Sequence, residues 1–427
     1  MPTRRSFIAS AAAAGTAITI GNSLLAQVAN APAMPDRALL DRDDDTYWAA
    51  LRKQFPIPRN EVYLNNGTCG STPYPVLKEV FAAYEHFEQM DDPDPEQYPL
   101  FGYGAFRQYR EPLAKFVGVS TDEIAIVRNA TEANAIMANG LDLRAGDEVL
   151  LSDQEHPSGN SPWDMRAKRY GIVVKRFKIP VPPKSPAEIL NIVNDAITPR
   201  TRVIFVSHIT TVTGVVMPVK EISALAKSKG IISMIDGAQV IGMMPLNIRD
   251  IGCDMYGSSP HKWLMAPKGT GFLYVRDEMI DRMWSNTTTE GWEDKKMRAQ
   301  RFQQYGSANL PVVAGLVAAI KFHEDIGIAR IEKRERMLAD YIHSEMVKRG
   351  AESWTSPNPE MRCAIVTVNV PPVPRMPLEK WLWATHKIRI RGGDPHKLRL
   401  STPYYLQKAD IDRFLERFDE FKNNVQA

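Results

Sequence analysis

The sequence predicts an α/β protein in which a mainly parallel sheet carries helices on both faces and a smaller α+β domain follows. Two observations favour this fold. From about Ile124 onward, short β-branched segments alternate with helix-like segments, a pattern typical of a parallel sheet covered by helices. Beyond about residue 311 the pattern changes to a helix-rich stretch, then strands and a final helix. A chain of 427 residues is long enough for two domains.

The strands of the predicted sheet are short segments rich in branched residues. Helix-like segments separate the first five strands, and the last two flank a Ser-Ser-Pro turn. The helix in "NATEANAIMANGLDL" begins at a cap, Asn129 or Thr131, and the amphipathic helix in "MPVKEISALAKSKG" ends at Gly230. The predicted strands are EIAIVR, DEVLLSD, GIVVKRF, RVIFVSH, IISMID, YGSS and GFLYV.

The second part of the chain predicts a different arrangement. A helix-rich region from Val312 to Arg349 precedes strands in "CAIVTVNV", "HKIRIRGG" and "HKLRLSTP", and a last helix begins at about Lys408. The Asp-, Pro- and Asn-rich stretch near the start predicts an arm that packs on both domains. We therefore divide the chain after the leader into an arm over residues 32–75, a large domain over residues 76–310 and a small domain over residues 311–427.

The first 31 residues resemble an export signal. A charged head with Arg4 and Arg5 precedes an interrupted apolar stretch and a small-residue cleavage site near Ala31. The head resembles a twin-arginine signal, which predicts a periplasmic protein exported by the twin-arginine machinery. The alternative is a membrane anchor, but Thr, Asn and Ser interrupt the apolar stretch, which is short for a span.

Composition excludes several classes of function. The net charge of +3 and the lack of a basic stripe interleaved with aromatics argue against nucleic-acid binding. Three cysteines without a CxxC pair do not form a disulfide framework. Eight histidines without an HExxH pattern predict no metal site.

Polar motifs follow the predicted strands, where the chemistry of α/β proteins collects. The start of a helix at Ala130, Thr131 and Glu132 suits a phosphate, because its backbone N–H groups are unpaired. Asp236 directly follows an apolar strand and needs a cationic partner there. Lys262 lies at a corner between two strands. These motifs are NATEAN, QEHPSGNSPW, SHITTVTG, DGAQ and SSPHK.

Each of these residues also has an ordinary interpretation. Alone, Lys262 would more often be a surface group, while Asp236 could equally be a helix cap and His156 a satisfied core histidine. Together, a lysine, a carboxylate at a strand end and a phosphate cradle on one sheet edge favour pyridoxal 5′-phosphate (PLP), held as a lysine Schiff base with an acidic partner on its pyridine nitrogen.

The motif set resembles the class V aminotransferase superfamily of PLP fold type I, a group that includes cysteine desulfurases and isopenicillin N epimerase. The resemblance rests on "DGAQ", on "HK" about 25 residues later, and on the following "GTG"; with "LNNGTCGSTP" near the start, isopenicillin-N-epimerase-like proteins are the most similar. It implies a mainly parallel seven-stranded sheet sandwiched by helices, and it extends over nearly everything after residue 60.

The resemblance also implies roles for individual residues. Lys262 would form the Schiff base and move the Cα proton, Asp236 would keep the pyridine nitrogen protonated, and His156 would stack on the ring. Arg391 would grip the substrate carboxylate, with Arg389 and Arg399 as competitors. The other implied cofactor-binding residues are Ala130, Thr131, Glu132, Thr211, Gln239, Ser259, His261 and, reaching across a homodimer interface, Ser307.

The implied reaction is of the epimerase or aminotransferase type, at the α-carbon of an amino acid or of an aminoacyl group such as glutamyl or aminoadipyl. With its twin-arginine-like signal, the chain also resembles the periplasmic PLP enzymes that tailor pyoverdine siderophores. Desulfurase or C–S lyase chemistry is one alternative, although "KIRIRGGDPHKLRL" holds no cysteine and Cys363 falls early in a strand. A non-catalytic scaffold is another. The loop from Tyr98 to Arg107 has no assigned role.

Overall fold

The computed structural model describes residues 23–42, 45–89, 107–289, 292–303, 306, 308–393 and 395–426. The paired arginines of the export motif, nearly all of the loop from Tyr98 to Arg107, and Ser307 lie outside the described residues. The strands are β1 (Val62–Tyr63), β2 (Ile124–Val127), β3 (Glu148–Ser152), β4 (Val173–Phe177), β5 (Thr201–Ser207), β6 (Ile232–Asp236), β7 (Met255–Ser258), β8 (Gly271–Val275), β9 (Glu352–Ser353), β10 (Ile365–Asn369), β11 (Ile388–Arg389), β12 (Arg391–Gly392) and β13 (Lys397–Ser401).

Helices fill most of the intervals between these strands. Two consecutive long helices, Leu310–Ile326 and Ile328–Lys348, are separated by Gly327. The φ of this glycine is 97°, which is unfavourable for residues with a side chain. The α-helices are Leu24–Ala29, Thr46–Leu51, Tyr74–Gln89, Arg107–Val117, Ala130–Asn139, Pro157–Tyr170, Pro186–Ala196, Val219–Ser228, Ile248–Ile251, Asp277–Ile280, Leu310–Ile326, Ile328–Lys348, Arg375–His386 and Lys408–Gln426.

The central sheet has seven strands in the order β2-β8-β7-β6-β5-β3-β4. The pairings on either side of β8 are antiparallel and the other four are parallel. Strands β3 and β8 are buried along their whole length, as expected of a sheet covered on both faces. The predicted α/β fold with a mainly parallel sheet and a smaller C-terminal part is confirmed, and each segment predicted as a strand of this sheet contains one.

Local signals explain where two of the helices begin and end. The side chain of Asn129, and not that of Thr131, caps the helix Ala130–Asn139, because its Oδ1 accepts a hydrogen bond of 3.0 Å from the N–H of Glu132. The helix Val219–Ser228 ends two residues before Gly230, whose φ is 67°. The cap at residue 129 fixes the direction of the helix that starts at the sheet edge.

The smaller sheet differs from the sequence prediction at one important place. The segment "HKIRIRGG" was expected to form one strand, but it divides at the buried Ile390. Strand β11 pairs in parallel with β1, whereas β12 pairs antiparallel with β13. The chain changes sheets here because β1 offers a partner that the local pattern does not reveal.

The segment around β1 connects the two parts of the molecule. Its Leu64 bonds to Arg389 and Ser401 of the C-terminal strands, and the N–H of Gly70 donates to the carbonyl of His261 at 2.9 Å. The segment therefore contacts both parts, while the domain boundaries themselves stay a prediction. None of the helices in the described ranges combines the length and apolar character needed to cross a bilayer.

Candidate active site

The carboxyl ends of the parallel strands open into a cleft of about 350 Å³. Ten of the predicted site residues line it, although they come from widely separated parts of the sequence. Glu132 does not, and Ser307 is not described. The predicted residues that line the cleft are Ala130, Thr131, His156, Thr211, Asp236, Gln239, Ser259, His261, Lys262 and Arg391.

Asp236 is the last residue of β6 and is 4% exposed. One carboxylate oxygen accepts a hydrogen bond of 2.8 Å from the side-chain amide of Asn134, and the other accepts from the N–H of Ala238 at 3.0 Å. Asn134 belongs to the helix that Asn129 caps, so the helix holds the carboxylate in place. Sequence reasoning missed Asn134, although an amide on a helix face otherwise buried among Ala and Met was a possible signal.

Lys262 follows β7 at the corner that the sequence predicted. Burial lowers the pKa of its amine to about 8, Asp236 opposes that shift, and Arg399 adds to it. The backbone carbonyl of Lys262 accepts a hydrogen bond from Asn66 at 3.1 Å. Position 70 must be glycine, because a Cβ there would lie 2.1 Å from the same carbonyl oxygen. The arm segment thus fixes the backbone under an amine that is partly neutral near neutral pH, as covalent attachment of a carbonyl requires.

His156 caps the helix Pro157–Tyr170 with its side chain. Its Nδ1 accepts from the N–H of Ser158 at 3.2 Å and lies 2.7 Å from that residue's Oγ. Burial first, and then the charge of Lys262, lower the pKa of the imidazole. These bonds to Ser158 hold the ring in one orientation on a wall of the cleft, which suits stacking against an aromatic ligand.

The opposite end of the cleft suits an anion. The N–H of Ala130 donates to Ser259 Oγ at 2.8 Å at the start of the capped helix. Nδ1 of His261 is buried without a hydrogen-bond partner among the described residues, and burial lowers the pKa of that ring to about 4. The positive end of this helix, the hydroxyl of Ser259 and the ring of His261 together fit a phosphate. Glu132 instead turns its carboxylate to Arg128, with 3.0 Å between Oε2 and Nε.

Gln239 links the cofactor side of the cleft to the arm. Its Nε2 donates to the carbonyl of Gly67 at 2.9 Å and lies 3.5 Å from Thr211 Oγ1. Its Oε1 accepts from the indole N–H of Trp263 at 2.8 Å. The residue after Lys262 is therefore a buried tryptophan whose indole N–H holds the side chain of Gln239 in place.

The third wall carries Arg399, which the sequence offered only as a competitor of Arg391. Its guanidinium donates to Thr211 Oγ1 at 2.7 Å, Thr68 Oγ1 at 2.6 Å and Asn65 Oδ1 at 3.2 Å. Burial first, and then the charge of Arg391, lower its pKa to about 10. Arg391 is exposed at the cleft mouth, whereas Arg389 stacks 3.7 Å above the ring of Trp383.

Behind Asp236 lies a buried carboxyl group that sequence reasoning missed. Glu155 accepts hydrogen bonds of 2.5 Å from the hydroxyls of Ser152 and Ser207. Burial raises its pKa to about 7, the two hydroxyls oppose that shift, and the nearby Asp236 favours it. The signal available in the sequence was a carboxylate directly before His156, close to the end of a buried strand.

The cysteines occupy unequal positions. Cys363 is buried and its Sγ donates to the carbonyl of Gly214 at 3.2 Å. Burial raises the pKa of this thiol to about 12, so it is a poor nucleophile. Cys253 is buried too, and Cys69 is half-buried in the arm segment.

The chain is similar to several known proteins. The model of the family described as aminotransferase class-V matches residues 62–414. Isopenicillin N epimerase from Amycolatopsis lactamdurans is 30% identical over 88% of this chain and 98% of its own length. A probable cysteine desulfurase from Methanothermobacter thermautotrophicus is 29% identical over 80% of this chain and 86% of its own. The solved structure of a C-DES variant, with glycine covalently linked to its PLP cofactor, is 25% identical with a TM-score of 0.76, covering 90% of this chain and 98% of that one.

The chain belongs to the aminotransferase class-V family. Membership confirms the resemblance inferred from "DGAQ", "HK" and "GTG", and with it a PLP-dependent enzyme of this family. The residues of the cleft fit that cofactor: Lys262 for its carbonyl carbon, Asp236 for its ring nitrogen, and the capped helix start with His261 for its phosphate. The role of each of these residues stays a prediction.

Proposed function

We propose that this enzyme removes and returns the α-proton of an amino acid or of an aminoacyl group, in an epimerase- or aminotransferase-type reaction. One observation carries the proposal: the amine of Lys262 shares a single cleft with the buried carboxylate of Asp236 and the half-buried Arg399. PLP, when bound, supplies an electron sink for the electron pair left at the α-carbon.

The residues of the chain have complementary tasks in this reaction. Asp236 would hold the ring nitrogen of PLP, and Asn134 orients its carboxylate. The amine of Lys262 would hold the carbonyl carbon of PLP and, when free, would take the α-proton and deliver it again, for which a pKa of about 8 is suitable. His156 would fix the plane of the ring. The buried wall around Gln239 and Trp263 keeps water from one side of the cleft.

Arg399 is better placed than Arg391 to hold the α-carboxylate. Its guanidinium is fixed by oxygens from the arm and from the loop after β5, and its Nε is buried without a partner among the described residues. A guanidinium whose orientation is already fixed loses less side-chain entropy when it binds a carboxylate than an exposed guanidinium does. We therefore propose the α-carboxylate role for Arg399, in place of the role predicted for Arg391.

The same proposal extends to location and assembly. The twin-arginine-like head favours export to the periplasm and fits tailoring of a siderophore or another secondary metabolite. The position of Ser307 after "YG" favours a homodimer in which that residue reaches the partner's phosphate. The first is tested by fusing residues 1–40 to a reporter that folds before export, with and without Arg4→Lys and Arg5→Lys.

The reaction is tested by incubating the holoenzyme with L-amino acids and N-terminal aminoacyl peptides in D₂O. Deuterium incorporated at Cα, detected by NMR, supports the proposal. Inverted configuration without an α-keto acid then indicates an epimerase, and an α-keto acid with the pyridoxamine form indicates an aminotransferase. Release of sulfide or persulfide from cysteine or cystine, with no exchange on other amino acids, would instead establish C–S bond cleavage.

A further inference from the structure

Two arginines stand opposite each other on the substrate side of the cleft. Arg391 of β12 and Arg399 of β13 are register partners in an antiparallel pair, and both line the cleft. Directly opposed residues project from the same face of a sheet, so their side chains are neighbours. Like charges in this arrangement destabilise the pair unless an anion lies between or beside them.

The described part of the chain supplies little to offset these charges. Arg399 contacts two hydroxyls and an amide oxygen, and its charged or titratable neighbours include Arg391, Tyr63, His156 and Lys262. Among the residues that the structure describes, Arg391 forms no ion pair. The carboxylate of Asp236 in the same cleft is already bonded to Asn134 and Ala238. The substrate side of the cleft is therefore cationic.

The two guanidiniums differ in depth, which separates their tasks. Arg399 is half-buried and its orientation is fixed by three hydrogen bonds, whereas Arg391 is exposed at the mouth. The strand change at Ile390 creates this arrangement, because it turns Arg389 away to Trp383 and returns Arg391 to the cleft. One anionic group would be bound deep in the cleft and another near the solvent.

We propose that the substrate carries two acidic groups: an α-carboxylate held by Arg399, and a second carboxylate or an equivalent anion held by Arg391 at the cleft mouth. This inference rests on the proposed function for the assignment of the deeper group. It narrows the substrate class to acidic amino acids, or to acylated or peptidic amines whose free acid lies a few bonds from the reacting carbon.

The test uses two probes that differ only in the second acid. Glutarate and its monoamide glutaramate bind to the PLP-loaded enzyme, measured by calorimetry, for the unchanged protein and for Arg391→Gln. Because a hydrogen bond to a charged group contributes about 1.5–3 kcal/mol, the unchanged enzyme is expected to prefer glutarate about 10- to 100-fold. Arg391→Gln should remove that preference and leave the affinity for glutaramate within about threefold.

Arg389→Gln is the matched control. It removes the same charge two residues before Arg391, from a side chain that stacks on Trp383 instead of lining the cleft. The preference for glutarate should survive in it. Equal affinity for both probes in the unchanged enzyme would overturn the inference. So would an equal loss of both probes in Arg391→Gln, because the two arginines would then clamp a single carboxylate. Loss of the preference for glutarate in Arg389→Gln would also overturn the inference, because the preference would then come from a diffuse effect of charge.

The inference and the proposed function fail in different ways. If L-glutamate and L-glutamine exchange their α-protons at the same rate and with the same dependence on substrate concentration, the second acid subsite is wrong and the proposed reaction stands. If glutarate is preferred through Arg391 while no amino acid exchanges its α-proton, the subsite stands and the reaction is wrong.

Discussion

The two sides of the cleft are built in opposite ways. On the cofactor side, the carboxylate of Asp236 is bonded to Asn134, Ala130 to Ser259, and Gln239 to Trp263, so these polar groups have partners within the protein. On the substrate side, Arg391 and Arg399 face each other across a strand pair without a described carboxylate. The cofactor side is suited to a permanently bound group. The substrate side, with its two neighbouring cations, is suited to an anionic ligand that binds and dissociates.

This difference orders the expected effects of mutation. Changes on the cofactor side remove chemistry and should affect every substrate. Changes on the substrate side remove recognition and should affect substrates unequally. Five predictions test that division, from the largest expected effect to the smallest.

Replacing the lysine should have the largest effect. Lys262→Ala removes both the attachment point of the cofactor and the base, so kcat should fall about 10³-fold or more. The variant should still bind PLP without a covalent bond, which dialysis and absorbance can measure. Turnover within tenfold of the unchanged enzyme would place the α-proton base elsewhere.

The ring-nitrogen partner comes next. Asp236→Asn keeps the shape of the side chain but removes the charge, and kcat should fall about 100-fold for all substrates because the ring accepts electrons less well. Asn134→Ala, which only loosens the same carboxylate, should cost about tenfold. A larger loss in Asn134→Ala than in Asp236→Asn would mean that Asp236 is not the group that acts on the cofactor.

Arg399→Gln should separate recognition from chemistry. We expect kcat/KM to fall about 30- to 100-fold, mainly through KM, because a charge-assisted hydrogen bond to the α-carboxylate is lost. Arg399→Lys should recover little, since an ammonium cannot reproduce the planar fork. Steady-state kinetics with Arg389→Gln as the control should give values within about twofold of the unchanged enzyme.

The pKa of Lys262 predicts the pH dependence of cofactor capture. Only the neutral amine attacks the cofactor aldehyde, and burial places its pKa at about 8. The neutral fraction rises roughly tenfold from pH 7 to pH 9, so the rate at which the apoprotein becomes yellow should rise by the same factor and then level off. Stopped-flow absorbance measures this, and a rate still rising steeply above pH 10 would mean an unperturbed lysine.

The smallest effect concerns stability and Glu155. Its pKa of about 7 in the folded protein lies above the value of 4.5 for an unperturbed glutamate, so the folded state binds the proton more tightly. Stability from this group is therefore full below about pH 4.5 and is lost as pH rises through 7. Glu155→Gln should flatten that slope and be about 1–3 kcal/mol more stable relative to the unchanged protein at pH 8 than at pH 5. Urea unfolding at both pH values tests it.

Much of the fold could be predicted from local pattern. Branched apolar segments and helix caps predict the seven strands and their order of appearance, and the Ser-Ser-Pro corner predicts where Lys262 lies. The division of "HKIRIRGG" into β11 and β12 could not be predicted, because it depends on pairing with Val62 and Tyr63, more than 300 residues earlier.

The same limit applies to the site. Lys262 and His156 follow strands, Asp236 ends one, and all three are recognisable by their order along the chain. Three arginines, in contrast, lie between positions 389 and 399 near the C-terminus. Choosing among Arg389, Arg391 and Arg399 depends on distant partners: Trp383 for the first, and Thr211 with Asn65 for the last. The buried carboxyl of Glu155 likewise depends on Ser207, which belongs to another strand.

The most direct test of the account is borohydride reduction of the purified holoenzyme followed by peptide mass mapping. The account predicts an absorption band near the visible edge that disappears on reduction, with the pyridoxyl mass fixed on the peptide that contains Lys262. A reduced adduct on another lysine, or a protein that takes up no PLP, would contradict the assignment of this cleft as the cofactor site.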